Sequence, residues 1–537
     1  MMKKLAKALL GLIAAVAMLF TGLVAPVTAL ADGEETVIPA AETSYTITPP
    51  ENNTHTYEVY QIFTGDLSQD KNGNKVLSNV KWGQNGKNGT DTITVGGTVP
   101  ESVLNELKNA SGDDQAKLDV IKKYVDLTGE AFKEVKTAAV SDVPAGYYLI
   151  KDKNGSVSDK DDTYTLYVVQ VVGNVTITPK GEKPKVEKFV KDINDSTDTS
   201  EGNWDKTADH DGWQTDTTNR DAINFRLEGT LPSNYSDYTS YTYKFTDTIS
   251  AGLTYNAGSV KVYVENTGEE RKDVTGQFTV TGPTEYTPTD TNSESAYQPI
   301  GDAKAHQLII LNNDLKQITG VNITKDSKIV VEYTAYLNDN AKIGSAGNPN
   351  KVDLTYSNNP NNAGEGETGK TPEDEVIVFT YEVVVDKTDQ DHKPLEGAVF
   401  KLEKKKQDGT WETVGTVTTQ KNDDGTKALG SFKRLDDGHY RLSEEPMEGY
   451  NQWGPQEFDI TATHSKDTDG AFSLTLNSTF GTPNSAAGTV TAAIQNKKGS
   501  ELPETGGIGT TILYVAGAAC VIAAGVWFGL RRRNSVR

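Results

Sequence analysis

Few side chains in this chain stand in arrangements that attack a substrate, relay protons or hold an ion, and their spacing excludes more chemistry than it offers. A single cysteine, Cys520, rules out a disulfide within the chain. The six histidines are scattered, with no His-Glu-x-x-His pattern and no neighbouring cysteine, so the sequence supports neither a transition-metal site nor a hydrolase centre. Ser68-Gln69-Asp70-Lys71-Asn72-Gly73 begins like a calcium loop, yet Asn79 stands where the bidentate glutamate belongs, and a hairpin turn is expected instead. No glycine-rich phosphate loop is present. The sequence therefore asks for no metal and no cofactor. What remains is the string Leu502-Pro503-Glu504-Thr505-Gly506 and a set of lysines, acids and asparagines embedded in strand-like stretches.

The setting of that string gives it meaning. Ile508 to Leu530 is apolar over the length of about 20 residues that a membrane span needs, and Arg531, Arg532 and Arg533 follow at once. The pattern is that of a stop-transfer helix with a basic cytoplasmic tail over 531–537. Residues 1–31 have a basic start (Lys3, Lys4, Lys7), an apolar run from Ala8, and a small-residue finish at Ala29-Leu30-Ala31, which is the build of a signal peptide; the mature chain then begins near Asp32. Standing before an apolar span and terminal arginines, residues 502–506 resemble the LPXTG sorting signal of Gram-positive surface proteins. The resemblance implies that a membrane sortase cuts between Thr505 and Gly506 and passes the acyl group to an amine. Pro503 favours an extended conformation for Leu502, which suits threading into a protease-like groove.

The 537 residues allow three or four domains of about 100 to 200 residues each. With 53 Lys and Arg against 75 Asp and Glu, the net charge of −22 has the wrong sign for a nucleic-acid binder and suits a surface polymer that must stay soluble. A hydrophobic fraction of 35% with 49 glycines points to loop-rich β structure, while 23 Tyr, 14 Phe and 6 Trp supply its cores. A first segment, 32–180, opens with the alternating Tyr57 to Phe63 and closes on a long strand pattern from Tyr164 to Thr178. Between them lie two short helical faces, Val103, Leu104, Leu107 and then Leu118, Ile121, Tyr124, Val125. Two prolines and a glycine mark a linker over 178–184. Strand candidates separated by Asn, Asp and Gly turns fill 184–360 and 376–497, with a linker over 361–375, and argue β-sandwiches for both regions.

In the third region Val383-Val384-Val385-Asp386-Lys387 precedes Pro394-Leu395-Glu396-Gly397-Ala398-Val399-Phe400. Tyr440-Arg441-Leu442-Ser443-Glu444-Glu445-Pro446 and Gly449-Tyr450 come later, and the last strand ends Ile494-Gln495-Asn496. Together these resemble the Cna-B type sandwich of Gram-positive pilins, in which a first-strand Lys and a last-strand Asn form an isopeptide bond promoted by a glutamate. The resemblance assigns those roles to Lys387, Asn496 and Glu444, with Glu445 as the substitute because the glutamate motif is one residue short here. A physical reason stands beside it. Only a neutral amine attacks an amide; burial lowers a lysine pKa and raises that of a carboxyl group, so one apolar pocket prepares both partners.

The second region opens Pro184 to Asp192, carries Phe245 to Tyr255 in its middle, and closes Asn348 to Asn358. It looks like the fimbrial isopeptide-forming D2 domain, which implies Lys188, Asp247 and Asn350 as the reacting and promoting residues. Asn348 and Asn358 compete with Asn350, and Lys185 or Lys191 would require the opposite strand face. In the first region, Tyr57 to Gly65 and Val80 to Gly83 resemble the N-terminal domain of major pilins. Its end, Val175 to Lys180, matches the pilin motif YPKN only at Pro179 and Lys180. Lys180 is then the polymerising lysine, with Lys183 or Lys185 next in line.

The expected fold is mainly β: tandem immunoglobulin-like, Cna-B-like sandwiches behind an N-terminal domain with small helices. The expected function is that of a sortase-assembled major pilin, the structural backbone of a covalent, wall-anchored pilus, and not an enzyme. Its partners would be pilus-specific and housekeeping sortases, other copies of itself, minor pilins, peptidoglycan and a host ligand. The alternative is a wall-anchored adhesin that stays monomeric.

Overall fold

In a computed structural model the described residues are 36–37, 44–70, 73–110, 114–157, 163–178, 183–194, 196, 202–214, 222–288, 290, 294–360, 367–499, 517–524 and 527. Strands dominate. Among the described residues, those up to Asn194, Thr199–Thr380 and Ala462–Thr475 form one compact unit; Asp195–Asp198, Tyr381–Thr461 and those from Leu476 onward form another.

The first unit begins with a sheet built on β1 (Tyr57–Gln69). This strand pairs antiparallel with β2 (Lys75–Trp82) and with β3 (Gly146–Asp152), and β3 pairs with β4 (Leu166–Val171). The β1–β2 hairpin occupies the stretch with a partial calcium-loop pattern, and the Asn74 amide donates to the Asp70 carboxylate inside the turn. Two helices, α1 (Glu101–Asn109) and α2 (Asp114–Tyr124), cover the sheet. Val103, Leu104 and Leu107 of α1 and Leu118 and Ile121 of α2 recur at helical spacing and are buried with Ile62, Phe63 and Trp82, so the apolar stripe dictates which face packs. The expected single strand from Tyr164 to Thr178 is in fact two, β4 and a short Val175–Thr176, separated by a bend at Val172-Gly173.

The same unit continues with two seven-stranded sheets sharing one core. In one sheet β5 (Val186–Lys191) pairs antiparallel with β7 (Ile223–Gly229), and β7 with β10 (Lys328–Leu337). In the other, β6 (Thr207–Asp209), β8 (Tyr243–Ile249), β9 (Ala305–Asn312) and β11 (Asn348–Ser357) are joined by β12 (Thr368–Lys370) and β13 (Asp374–Phe379). Those last two strands correct the expected boundaries. The sequence divides residues 368–379 between a linker and the third domain, yet β12 and β13 both pair with β11, and Val376 and Val378 bury in this core. The polar, glycine-bearing composition of Thr368–Lys370 reads as a linker because only register with the preceding strand makes it β structure. β11 is therefore not the last strand of its domain.

The residues from Tyr381 onward form two five-stranded sheets, all but Ala462–Thr475 of them in the second unit. In one, β14 (Tyr381–Thr388) runs antiparallel to β17 (Ala428–Leu435) and parallel to β21 (Thr489–Gln495). In the other, β15 (Val399–Lys405) pairs with β16 (Trp411–Thr418) and β18 (Gly438–Glu444), followed by β19 (Gln456–Lys466) and β20 (Phe472–Ser478). Of the expected span Ile508 to Leu530, 517–524 and 527 are described and helical. Among the described residues no helix is long and apolar enough to cross a membrane. Residues 1–31 and the string 502–506 lie outside the described residues.

Candidate cross-linking sites

Strand alternation explains how a lysine comes to be buried in the third domain. Along β14, Tyr381, Val383, Val385 and Lys387 point inward in turn, so the row that builds the core ends in an amine with no exposed surface. The parallel partner β21 ends one residue before Asn496, whose backbone N–H donates to the Thr388 carbonyl at 2.9 Å. Asn496 too is fully buried. From the other sheet, β18 presents Tyr440, Leu442 and Glu444 on its inner face. Glu444 Oε1 accepts from Asn496 Nδ2 at 2.8 Å and stands 3.6 Å from Lys387 Nζ, while Oε2 accepts from the Trp453 backbone N–H at 2.8 Å. One carboxyl group thus reaches both an amine and an amide in a dry setting. Burial pushes the Lys387 amine below the ordinary lysine range, against the pull of Glu444. Glu445, the sequence alternative, is exposed.

The second domain builds a comparable group from different elements. Val186, Lys188 and Val190 share the inner face of β5, and Lys188 is fully buried, whereas Lys185 is exposed and Lys191 half-buried. Lys188 Nζ contacts Asp247 Oδ2 and donates to the Tyr333 hydroxyl at 3.1 Å. That hydroxyl donates to Asp247 Oδ1 at 2.8 Å and accepts from Asn350 Nδ2 at 2.6 Å. Asp247 and Asn350 lie on adjacent strands, since β8 and β11 pair Asp247 with Val352 and Ile249 with Asn350. Lys188 and Tyr333 come from the facing sheet. Burial lowers the lysine and raises the aspartic acid, both toward their neutral forms, while their mutual attraction opposes it. The amide of Asn348 is occupied with the Lys342 backbone and the Val378 carbonyl, which leaves Asn350 as the asparagine at this group. Asn358 lies past the end of β11.

Sequence reasoning missed Tyr333. It stacks on Phe225 at 5.4 Å between centroids and reads as an ordinary core aromatic; nothing local marks its hydroxyl as the bridge among Lys188, Asp247 and Asn350. In both groups the asparagine Oδ1 is buried without a hydrogen bond among the described residues. Turning the amide about its last bond would bring that oxygen to Glu444 or to the Tyr333 hydroxyl, where a proton donor can polarise the carbonyl. Lys180 and residues 502–506 lie outside the described residues.

Residues 381–472 match the SpaA prealbumin-like fold domain, and residues 494–536 match the LPXTG cell wall anchor motif. The trypsin-resistant surface T6 protein of Streptococcus pyogenes serotype M6 is 27% identical over 379 residues, which cover 58% of this chain and 64% of that protein. Among solved structures, the T6 backbone pilin of S. pyogenes is 18% identical, with 85% of this chain and 98% of that chain covered and a TM-score of 0.45. The major pilin SpaD of Corynebacterium diphtheriae is 15% identical, with 85% and 98% covered and a TM-score of 0.41. The two matched segments make this chain a cell-wall-attached surface protein that carries a prealbumin-like domain and an LPXTG anchor.

Proposed function

We propose that this chain is the backbone subunit of a covalently polymerised, wall-anchored pilus, a sortase substrate that also cross-links itself at Lys188–Asn350 and Lys387–Asn496. The observation that carries the reading is the buried Lys387, Glu444 and Asn496, in which one carboxyl group lies within 3.6 Å of the amine and 2.8 Å of the amide. In each bond-forming step the neutral lysine amine adds to the asparagine Cγ. The carboxyl group of Glu444 or Asp247 takes a proton from the added amine and delivers it to the amide nitrogen, which leaves as ammonia. One C–N bond forms as another breaks, so no oxidant or cofactor is needed. Tyr333 would relay the proton in the second domain.

The anchor implies transfer of the Thr505 acyl group by a sortase, with Lys180 of another copy as the acceptor during polymerisation and peptidoglycan at the end of growth. Pilus-specific and housekeeping sortases, minor pilins and a host ligand complete the proposed set of partners. Denaturing immunoblots of wall extracts test the reading: the wild type should give a ladder of covalent species, and Thr505→Ala should remove both ladder and anchored monomer. A single wall-linked band in the wild type would favour the monomeric adhesin instead.

A further inference from the structure

The histidines that are scattered along the chain are not all isolated in space. His464 lies on the part of β19 grouped with the first unit, and its ring faces two aspartates of that unit. Asp192 directly follows β5, and Asp209 ends β6 and is buried. His464 Nδ1 is 2.8 Å from Thr207 Oγ1, which fixes the ring so that Nε2 stands 3.5 Å from Asp209 Oδ1 and 3.9 Å from Asp192 Oδ2. The three donor atoms all lie within 4.8 Å of one another.

These separations are long for a direct N–H···O pair, which prefers about 2.7–3.2 Å. The 3.5 Å between His464 Nε2 and Asp209 Oδ1 is what a shared ion requires, since with metal–ligand bonds of about 2.0–2.2 Å at a tetrahedral centre two ligands sit roughly 3.3–3.6 Å apart; the 3.9 Å to Asp192 Oδ2 is a few tenths longer. We propose that Asp192, Asp209 and His464 form a site for one divalent transition-metal ion, zinc in the first instance, with a fourth position left to water.

The chemistry of the donor set supports this. Two carboxylates brought together in a partly dry setting repel each other. A dication offsets that repulsion. An imidazole beside two carboxylates suits zinc and its neighbours better than calcium, which takes an all-oxygen shell. Thr207 plays the part of the outer partner that orients a ligating histidine. His210 is outside the set, because its Nε2 lies 3.0 Å from the Lys191 carbonyl oxygen.

Calorimetric titration of the untagged full chain, first stripped with a chelator, with zinc chloride alone tests the site. The wild type should bind one tight equivalent. His464→Ala and Asp209→Asn should each weaken it by more than the roughly 10- to 100-fold that loss of an outer partner costs, and Thr207→Val should fall within that range. Circular dichroism checks that each variant folds. Cobalt substitution adds a readout on the wild type alone, because four-coordinate cobalt gives intense visible bands. Absence of saturable zinc binding by the wild type, absence of those bands, or undiminished binding by a folded His464→Ala variant would each overturn the proposal.

Discussion

Lys188 and Lys387 both occupy core positions at which alternation along a strand would ordinarily place valine or isoleucine. A buried amine is unfavourable unless its charge is paired or removed, and an amide bond removes it permanently. Intact-mass analysis should therefore show the chain lighter than its processed sequence by two ammonia molecules, with Glu444→Ala and Asp247→Ala each restoring one. A pH effect follows in a variant that cannot close the bond. In Asn496→Ala the lysine stays buried with its pKa depressed, so the unfolded chain holds the proton more tightly than the folded one. Stability should then rise with pH from that depressed value up to the ordinary lysine value of about 10.4. Urea midpoints at about pH 7 and about pH 9.5 should differ in Asn496→Ala and converge once Lys387→Met is added. The lysines and acids at these sites were legible in the sequence because each lies in a distinctive string. Tyr333 was not, since its role depends on three partners far away along the chain.

The strands determine what each cross-link would hold. Lys387 lies on β14 and Asn496 directly follows its parallel neighbour β21, so their bond would join these two strands within one sheet, with Glu444 reaching in from the other. Lys188 and Asn350 belong to facing sheets, and their bond would pin one sheet to the other. Each closes a loop on the order of 100 residues or more, for which restricting the unfolded chain contributes up to about 4–5 kcal/mol. Asn350→Ala and Asn496→Ala should each lower the melting temperature of their domain by roughly 10 °C or more, read by scanning calorimetry. Equal melting temperatures would mean that the bonds do not hold the domains. At this scale the sequence conveyed alternation well and pairing poorly. The helices at 101–124 are legible from their apolar stripes, whereas the membership of β12 and β13 in the second domain is not, because it comes from pairing with β11. Asp192, Asp209 and His464 went unnoticed for a related reason: pairing of distant segments, not spacing, brings them together.

Across the whole molecule, chemistry within the domains and chemistry at the ends answer different needs. Internal bonds would keep each domain from being pulled apart, while the acyl group at Thr505 and an amine near the end of the first domain would join one subunit to the next. With one cysteine the chain cannot close a disulfide within a domain. Leu502→Ala should leave the chain unanchored and in the medium, detected by fractionation. Lys180→Ala should leave folded monomer on the wall while abolishing the higher species; persistence of the ladder would shift the acceptor to Lys183 or Lys185. The most direct measurement is peptide sequencing by mass spectrometry of the highest species from wall extracts. The account predicts a branched peptide in which the Thr505 carbonyl is bonded to Lys180 Nζ of a second copy. Wall material containing only chains whose Thr505 is joined to peptidoglycan, with Lys180 always unmodified and no species above monomer mass, would contradict it.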